Sequence, residues 1–209
     1  MKKIMFDDKF LLTQAVLGGT KTMTRRIAKF EPSARLYDEV YNIEGGMNDK
    51  GQWIFTLFNK YGEIIGDIIP RYNVGEVVAI SQPYKTLYPN ADFEMEDSYH
   101  FLTESKGWNN KMFVKADLMP HHIKITDVRV ERLQDITDED CLKEGIMHFI
   151  PADDEECTEE GYGYLTSDGG LFMFDTPREA YASLINKICG KGTWERNQWV
   201  EAYTFEKVD

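Results

Sequence analysis

Apolar and polar positions along this chain switch repeatedly between a period of two and a helical period. Residues 3–6, with Ile4, Met5 and Phe6 in succession, predict a short strand. Asp7 or Asp8 then caps a segment, 9–17, in which Leu11 and Ala15, and Leu12 and Val16, recur four apart on one helix face. Gly18-Gly19 ends it. From 31 to 70 the pattern predicts β-hairpins: strands at 38–43, 52–58 and 63–65, with turns at 45–51 and 59–62. Trp53, Phe55 and Leu57 alternate with Ile54, Thr56 and Phe58, so both faces are partly apolar and the hairpin must pack on something. A turn through Tyr72-Asn73-Val74-Gly75-Glu76 leads into the apolar run 77–80, a buried strand.

Residues 84–110 hold scattered aromatics without a period and read as an irregular excursion. Strands follow at 111–116 and 122–133. In the second, Ile123 and Ile125 share one parity and Val128 and Val130 the other, which predicts a bulge near Thr126-Asp127. Thr137 caps a short helix, with Asp140 at the capping-box position and Gly145 as its stop. The acidic, Gly-rich stretch 151–175 predicts a loop with a hairpin turn at Ser167-Asp168-Gly169-Gly170. Thr176-Pro177-Arg178-Glu179 starts a helix whose stripe is Tyr181, Leu184, Ile185 and Ile188, ended by Gly190; 199–205 is the closing strand.

At 209 residues and 42% hydrophobic content, the chain is long enough for one sizeable core, and a single domain over 1–209 is expected. Acidic residues close the first apolar run too early for a signal peptide, and no stretch approaches the length of a membrane span. Cys141, Cys157 and Cys189 are odd in number and lack a C-x-x-C pair, which fits a reducing compartment; a cytoplasmic location is expected. The net charge of −12 disfavours duplex DNA as a partner, because phosphate binding normally advertises a basic surface. A small ligand or a short single-stranded element suits the charge better.

Against that acidic background the cations concentrate in Gly18-Gly19-Thr20-Lys21-Thr22-Met23-Thr24-Arg25-Arg26-Ile27. After the glycines come an ammonium, three hydroxyls and two guanidiniums, an anion-facing, donor-rich surface; a solvent-facing strand is the plainer alternative. Alternation puts Thr22, Thr24 and Arg26 on one face and Met23, Arg25 and Ile27 on the other. Lys21 falls on the second parity, so it joins Thr24 and Arg26 only from the turn after the glycines or across a bulge. Glu144 is the matching candidate: it lies in the last turn of the short helix, where the macrodipole disfavours an anion by roughly 0.3–1 kcal/mol. A solvated surface glutamate is again the plainer alternative.

Gly19 to Arg26, the segment from Tyr72 to Val78, the stretch 125–146 ending Glu144-Gly145-Ile146 and the terminal Trp194-Glu195-Arg196-Asn197-Gln198-Trp199-Val200 together resemble the ASCH superfamily of PUA-like proteins, in its larger phage-type form. The resemblance covers about half the chain. It implies an α+β fold, a small mixed β-barrel with flanking short helices, carrying insertions at about 31–70, 84–110 and 151–175. It also implies a role in RNA or modified-nucleoside binding. Short members of the family include amidohydrolases that remove the acyl group of N4-acetylcytidine. What they carry maps here to Lys21 as base, Thr24 as nucleophile, Glu144 as proton handler and Arg26 as substrate or oxyanion anchor, with Arg25 and Thr22 beside them as ligand-binding candidates.

Three functions follow as expectations: a binding module for RNA or a nucleoside, an amidohydrolase on N4-acylated cytidines, and a phage accessory protein acting through protein contacts. Tyr84 or Trp108 is available to stack on a base, with ordinary packing as the alternative. No cofactor is expected. Nor is a metal: His121 and His122 face opposite ways on a strand, and His100 and His148 stand in unpatterned segments. Cys141 reads as a small core residue.

Overall fold

The computed structural model describes residues 1–29, 40–89, 103–150 and 160–209. In chain order its elements are β1 (Lys3–Ile4), α1 (Leu12–Leu17), β2 (Met23–Ile27), β3 (Asn42–Met47), β4 (Trp53–Phe58), β5 (Ile64–Ile68), β6 (Val77–Ile80) and α2 (Tyr84–Leu87). They continue with β7 (His122–Arg132), α3 (Asp138–Lys143), β8 (Met147–Phe149), β9 (Gly161–Leu165), β10 (Leu171–Phe174), α4 (Pro177–Cys189) and β11 (Trp199–Lys207). The fold is mixed α+β. No helix among the described residues is long and apolar enough to cross a membrane.

One sheet has five strands in the order β1-β6-β7-β11-β2, parallel only between β1 and β6. Two three-stranded sheets, β3-β4-β5 and β10-β9-β8, stand apart from it. The expected small barrel is therefore not what the described residues form: β1, only two residues long, and β2 are opposite ends of an open sheet. The three sheets nevertheless share a continuous apolar core, which takes Ile80, Ile123, Ile125 and Phe205 from the first, Phe55, Leu57 and Ile68 from the second, and Tyr164 from the third.

Local punctuation explains most elements. The pairing of β7 with β11 steps from Thr204–Asp127 to Phe205–Ile125, leaving Thr126 as the extra residue of a bulge. Ile123, Ile125 and Val128 thereby all reach the buried face, and Val130 is partly buried against the core. Thr137 Oγ1 accepts from Asp140 N (3.1 Å) to cap α3, and Thr176 Oγ1 accepts from Glu179 N (3.2 Å) to cap α4 with Pro177 in its first turn. The hairpin turn at 167–170 is present, joining β9 to β10.

Four expectations are corrected. α1 begins at Leu12 rather than at 9, because Asp7 Oδ1 accepts from Lys9 N (2.9 Å) in a tight turn and Leu11 adopts a left-handed φ of 55°. Residues 111–116 are no strand: Asn110 Oδ1 takes Met112 N (2.9 Å), closing the 3₁₀ turn Lys111–Phe113. The strand β3 runs through Gly45-Gly46 instead of turning there, and a side chain at Gly45 would meet the rings of Trp53 (3.2 Å) and Phe55 (3.3 Å). The stretch 151–175 is not all loop, since β9 and β10 lie within it. Part of the 38–43 strand, His100 and Cys157 fall outside the described residues.

Candidate functional site

The glycines after α1 decide where Lys21 points. Gly19 has φ 77°, and the amides of Thr20 and Lys21 both donate to Ala15 O (2.9 and 3.0 Å). Lys21 thus sits in the turn before β2, outside the strand's alternation. On the other side, α3 ends at Glu144, and Gly145, with φ 101°, packs so closely that a side chain there would approach Leu12 (3.2 Å) and the stem of Lys21 (3.6 Å).

The two side chains meet. Lys21 Nζ donates to Glu144 Oε2 (2.7 Å) and to the Glu144 backbone carbonyl (2.6 Å), with side-chain exposures of 2% and 5%. Burial pushes the Lys21 pKa down; Glu144 opposes that shift, and the charges of Arg26 and Arg25 add to it.

A cavity of about 110 Å³ adjoins this pair. Lys21, Glu144, Thr24, Arg25, Arg26 and Ile27 line it together with Phe6, Leu12, Tyr181 and Ile185. Thr24, Arg25, Arg26 and Ile27, successive residues of the end strand of the sheet, all line this one cavity. Thr24 is 5% exposed, and no hydrogen bond to its hydroxyl is formed among the described residues. Arg26 donates from Nη2 to Met5 O (2.6 Å).

The remaining candidates occupy other places. Arg25 is not a free cation: Nη1 donates to Glu144 Oε1 (3.2 Å), Nη2 to Glu131 Oε1 (2.6 Å) and Asp140 Oδ2 (3.0 Å), and Nε to Glu131 Oε1 (3.0 Å). Although burial opposes its charge, Glu144 and Glu131 keep its pKa raised. Thr22 contributes backbone only, its N–H to Lys143 O and its C=O to Phe205 N, both 2.9 Å, and it does not line the cavity. Tyr84 is 2% exposed and Trp108 packs against the same small cluster, with Tyr84 Oη accepting from Lys115 N (2.7 Å); both serve packing rather than an open stacking platform. Cys141 is fully buried, its thiol pushed up to about 12 by burial. His121 and His122 both approach Asp209, and no group of metal-ligating side chains occurs among the described residues.

Sequence patterns gave no warning of the carboxylates around Arg25 or of Tyr181 beyond its place on an apolar stripe. The sheet register supplies the first. Ala202 of β11 lies opposite Arg25 on one side and Arg129 on the other. Its small side chain leaves the two guanidiniums room to converge, and both donate to Asp140 Oδ2, at 3.0 and 2.8 Å. Burial tends to raise the Asp140 pKa, but the hydrogen bonds from Arg129 and Arg25 hold it below the usual carboxylate value. Tyr181 is found only by its surroundings: its hydroxyl is buried without a hydrogen-bond partner, and burial raises its pKa well above the ordinary phenol value. Compared with protein-family models, with curated proteins and with solved structures, the chain matches none.

Proposed function

We propose that this chain is an ASCH-type protein whose cavity binds a nucleoside-like small molecule or an unpaired nucleotide of RNA. One observation carries this: Lys21 and Glu144, 123 positions apart, are paired in the interior at 2.7 Å beside a cavity that Thr24 and Arg26 also line. Burying an ammonium and a carboxylate costs several kcal/mol per ion before their attraction is counted. A pair placed at a cavity wall, rather than in solid core, makes sense when a ligand uses it. The cavity is smaller than the roughly 300–1,000 Å³ typical of sites for whole drug-sized ligands, so it suits a base edge or an acyl group with the sugar outside. The net charge of −12 favours such a ligand over a long polyanion.

Calorimetric titration with cytidine, N4-acetylcytidine and a short single-stranded RNA tests this. Saturable binding by at least one of them is expected, weakened about tenfold by Thr24→Val or Arg26→Ala with circular dichroism unchanged. Wild type that binds none of the three sinks the proposal.

Amide hydrolysis is a second reading, favoured by the lowered pKa of Lys21 and by the placement of buried Thr24 in the lining of the same cavity. The Lys21 proton would first pass to Glu144 along their 2.7 Å contact, so that Thr24 Oγ adds to the acyl carbon while the freed Lys21 amine takes the hydroxyl proton. The C–N bond would break as Glu144 passes its proton to the departing amine, which restores the ammonium and the carboxylate; water would then add to the acyl-threonine, releasing a carboxylic acid and returning a proton to Thr24 Oγ. Release of acetate from N4-acetylcytidine by wild type, absent in Thr24→Val, separates this from binding alone.

A further inference from the structure

A second cavity, of about 570 Å³, is walled by the start of α1, the turn after α3, β8 and β9. Leu11, Gln14 and Ala15, three and four positions apart, line it, whereas Leu12 and Val16 of the same stretch are buried in the core. The two cavities share a partition made of consecutive residues. Leu11 lines the larger and Leu12 the smaller; Thr20 the larger and Lys21 the smaller; Gly145 the larger and Glu144 the smaller. The partition is tightly packed: a carbon added at Gly145 would stand 3.2 Å from Leu12 and 3.6 Å from the Lys21 stem.

The lining says what the larger cavity would hold. None of its residues is Lys, Arg, Asp or Glu, and His148 is already engaged, with Nε2 2.8 Å from Glu160 Oε1. A charged ligand would lose hydration there and meet no counter-charge. Phe10, Leu142, Ile146 and Tyr164 supply apolar wall, the rings of Phe10 and Tyr164 lying edge to face at 5.7 Å. One amide is open to a polar group: Gln14 is exposed, and its side chain forms no hydrogen bond among the described residues. The volume falls within the roughly 300–1,000 Å³ typical of small-molecule sites. Met147, 43% exposed, is apolar surface that an occupant would take out of water. Leu11 holds φ 55°, a left-handed conformation that a leucine keeps only where its surroundings impose it, and such residues cluster at ligand sites.

We infer that this cavity is a second ligand site, for an uncharged aromatic molecule, and that its occupant bears on the Lys21–Glu144 pair through the shared partition. Whatever presses on Gly145 presses on the Lys21 stem, so occupancy of one cavity is felt in the other, equally in both directions. The inference does not depend on the nucleoside reading, and its test uses no nucleoside.

Indole is the probe. With wild type a saturable rise of the thermal midpoint is expected, roughly 3–6 °C at about ten times the dissociation constant. Ala15→Phe, which fills the cavity from α1, should abolish the rise; Met147→Trp, which fills it from the exposed side of β8, replaces that variant if it does not fold. Indole-3-acetate should bind about tenfold more weakly or worse, because its carboxylate finds no cation. In proton–nitrogen correlation spectra the amides of Lys21 and Glu144, which line the other cavity, should move as indole saturates. No rise in wild type, an equal rise in a filled variant, or equal affinity for the charged analogue overturns the site. A saturable rise with both amides unmoved overturns the coupling. A cavity covered by a second copy of the chain would appear in sedimentation as a dimer that indole leaves intact, and that result overturns the inference as well.

Discussion

Lys21 Nζ donates to the carboxylate and to the backbone carbonyl of the same residue, Glu144, at 2.7 and 2.6 Å. The lysine thus ties the end of α3 to the turn before β2, while Glu144 keeps a second cation through Arg25 (3.2 Å). Losing the two partners should therefore have unequal effects. Glu144→Ala leaves the buried Lys21 ammonium without its carboxylate, although Arg25 keeps Glu131 and Asp140, and is expected to cost about 3–5 kcal/mol in urea unfolding. Lys21→Met leaves Glu144 with Arg25, fills the same space with an apolar chain, and should cost less than about 2 kcal/mol. Equal losses in the two variants would contradict the arrangement.

Asp140 should shape the acid limb of stability. Its pKa is lower in the folded protein than the unfolded value near 3.8, so the unfolded chain binds more protons in the window between them. Its contribution is complete above the unfolded value and is lost as pH falls through the folded one. Asp140→Asn is expected to cost about 1–3 kcal/mol at pH 7, the range for hydrogen bonds to charged groups. The difference from wild type should shrink below about pH 4. Unfolding curves from pH 3 to 7 check it; a pH-independent difference would exclude the arginine pairing as the cause.

Gly145→Ala should loosen the site from behind. Its φ of 101° disfavours any side chain, and the added carbon would press on Leu12 at 3.2 Å and on the Lys21 stem. A loss of about 1–3 kcal/mol is expected. Ligand affinity should fall with it, whereas Gly62→Ala, also at positive φ but with open space around it, should lose stability alone.

The thiols offer a mapping experiment. Cys141, buried and pushed up to about 12, should resist N-ethylmaleimide in the native protein at pH 8, while exposed Cys189 at the cavity rim reacts. Peptide-level mass spectrometry should show saturating N4-acetylcytidine slowing the reaction at Cys189. An unchanged rate would place the ligand elsewhere.

Features controlled by a few adjacent residues were legible in the sequence. The Thr137 and Thr176 caps, the turn at 167–170 and the bulge at Thr126 each follow from local chemistry. Glu144 could be singled out because it stands at the unfavourable end of a helix dipole. Alternation along β2 allowed Lys21 to join Thr24 only from the turn after the glycines, and that is where it stands; Arg25, on the other parity, lines the same cavity all the same. Only sheet order reveals that β2 is an end strand. The fate of Arg25 was likewise invisible, since it depends on Ala202 setting Arg25 and Arg129 across from one another in a three-strand register. Tyr181 looked like one more member of an apolar stripe, and no period distinguishes a tyrosine that packs from one whose hydroxyl lacks an acceptor.

β11 separates β7 from β2 in the central sheet, so the strand carrying Thr24 and Arg26 has no hydrogen-bonded neighbour until residues 199–207 arrive. During synthesis, β2 must wait through more than 170 residues of translation before it is held in place. A nascent chain halted short of Trp199 would carry every side chain that lines the cavity except Val200 and still lack the strand that holds β2, which makes ligand affinity a sensitive reporter of when β11 docks.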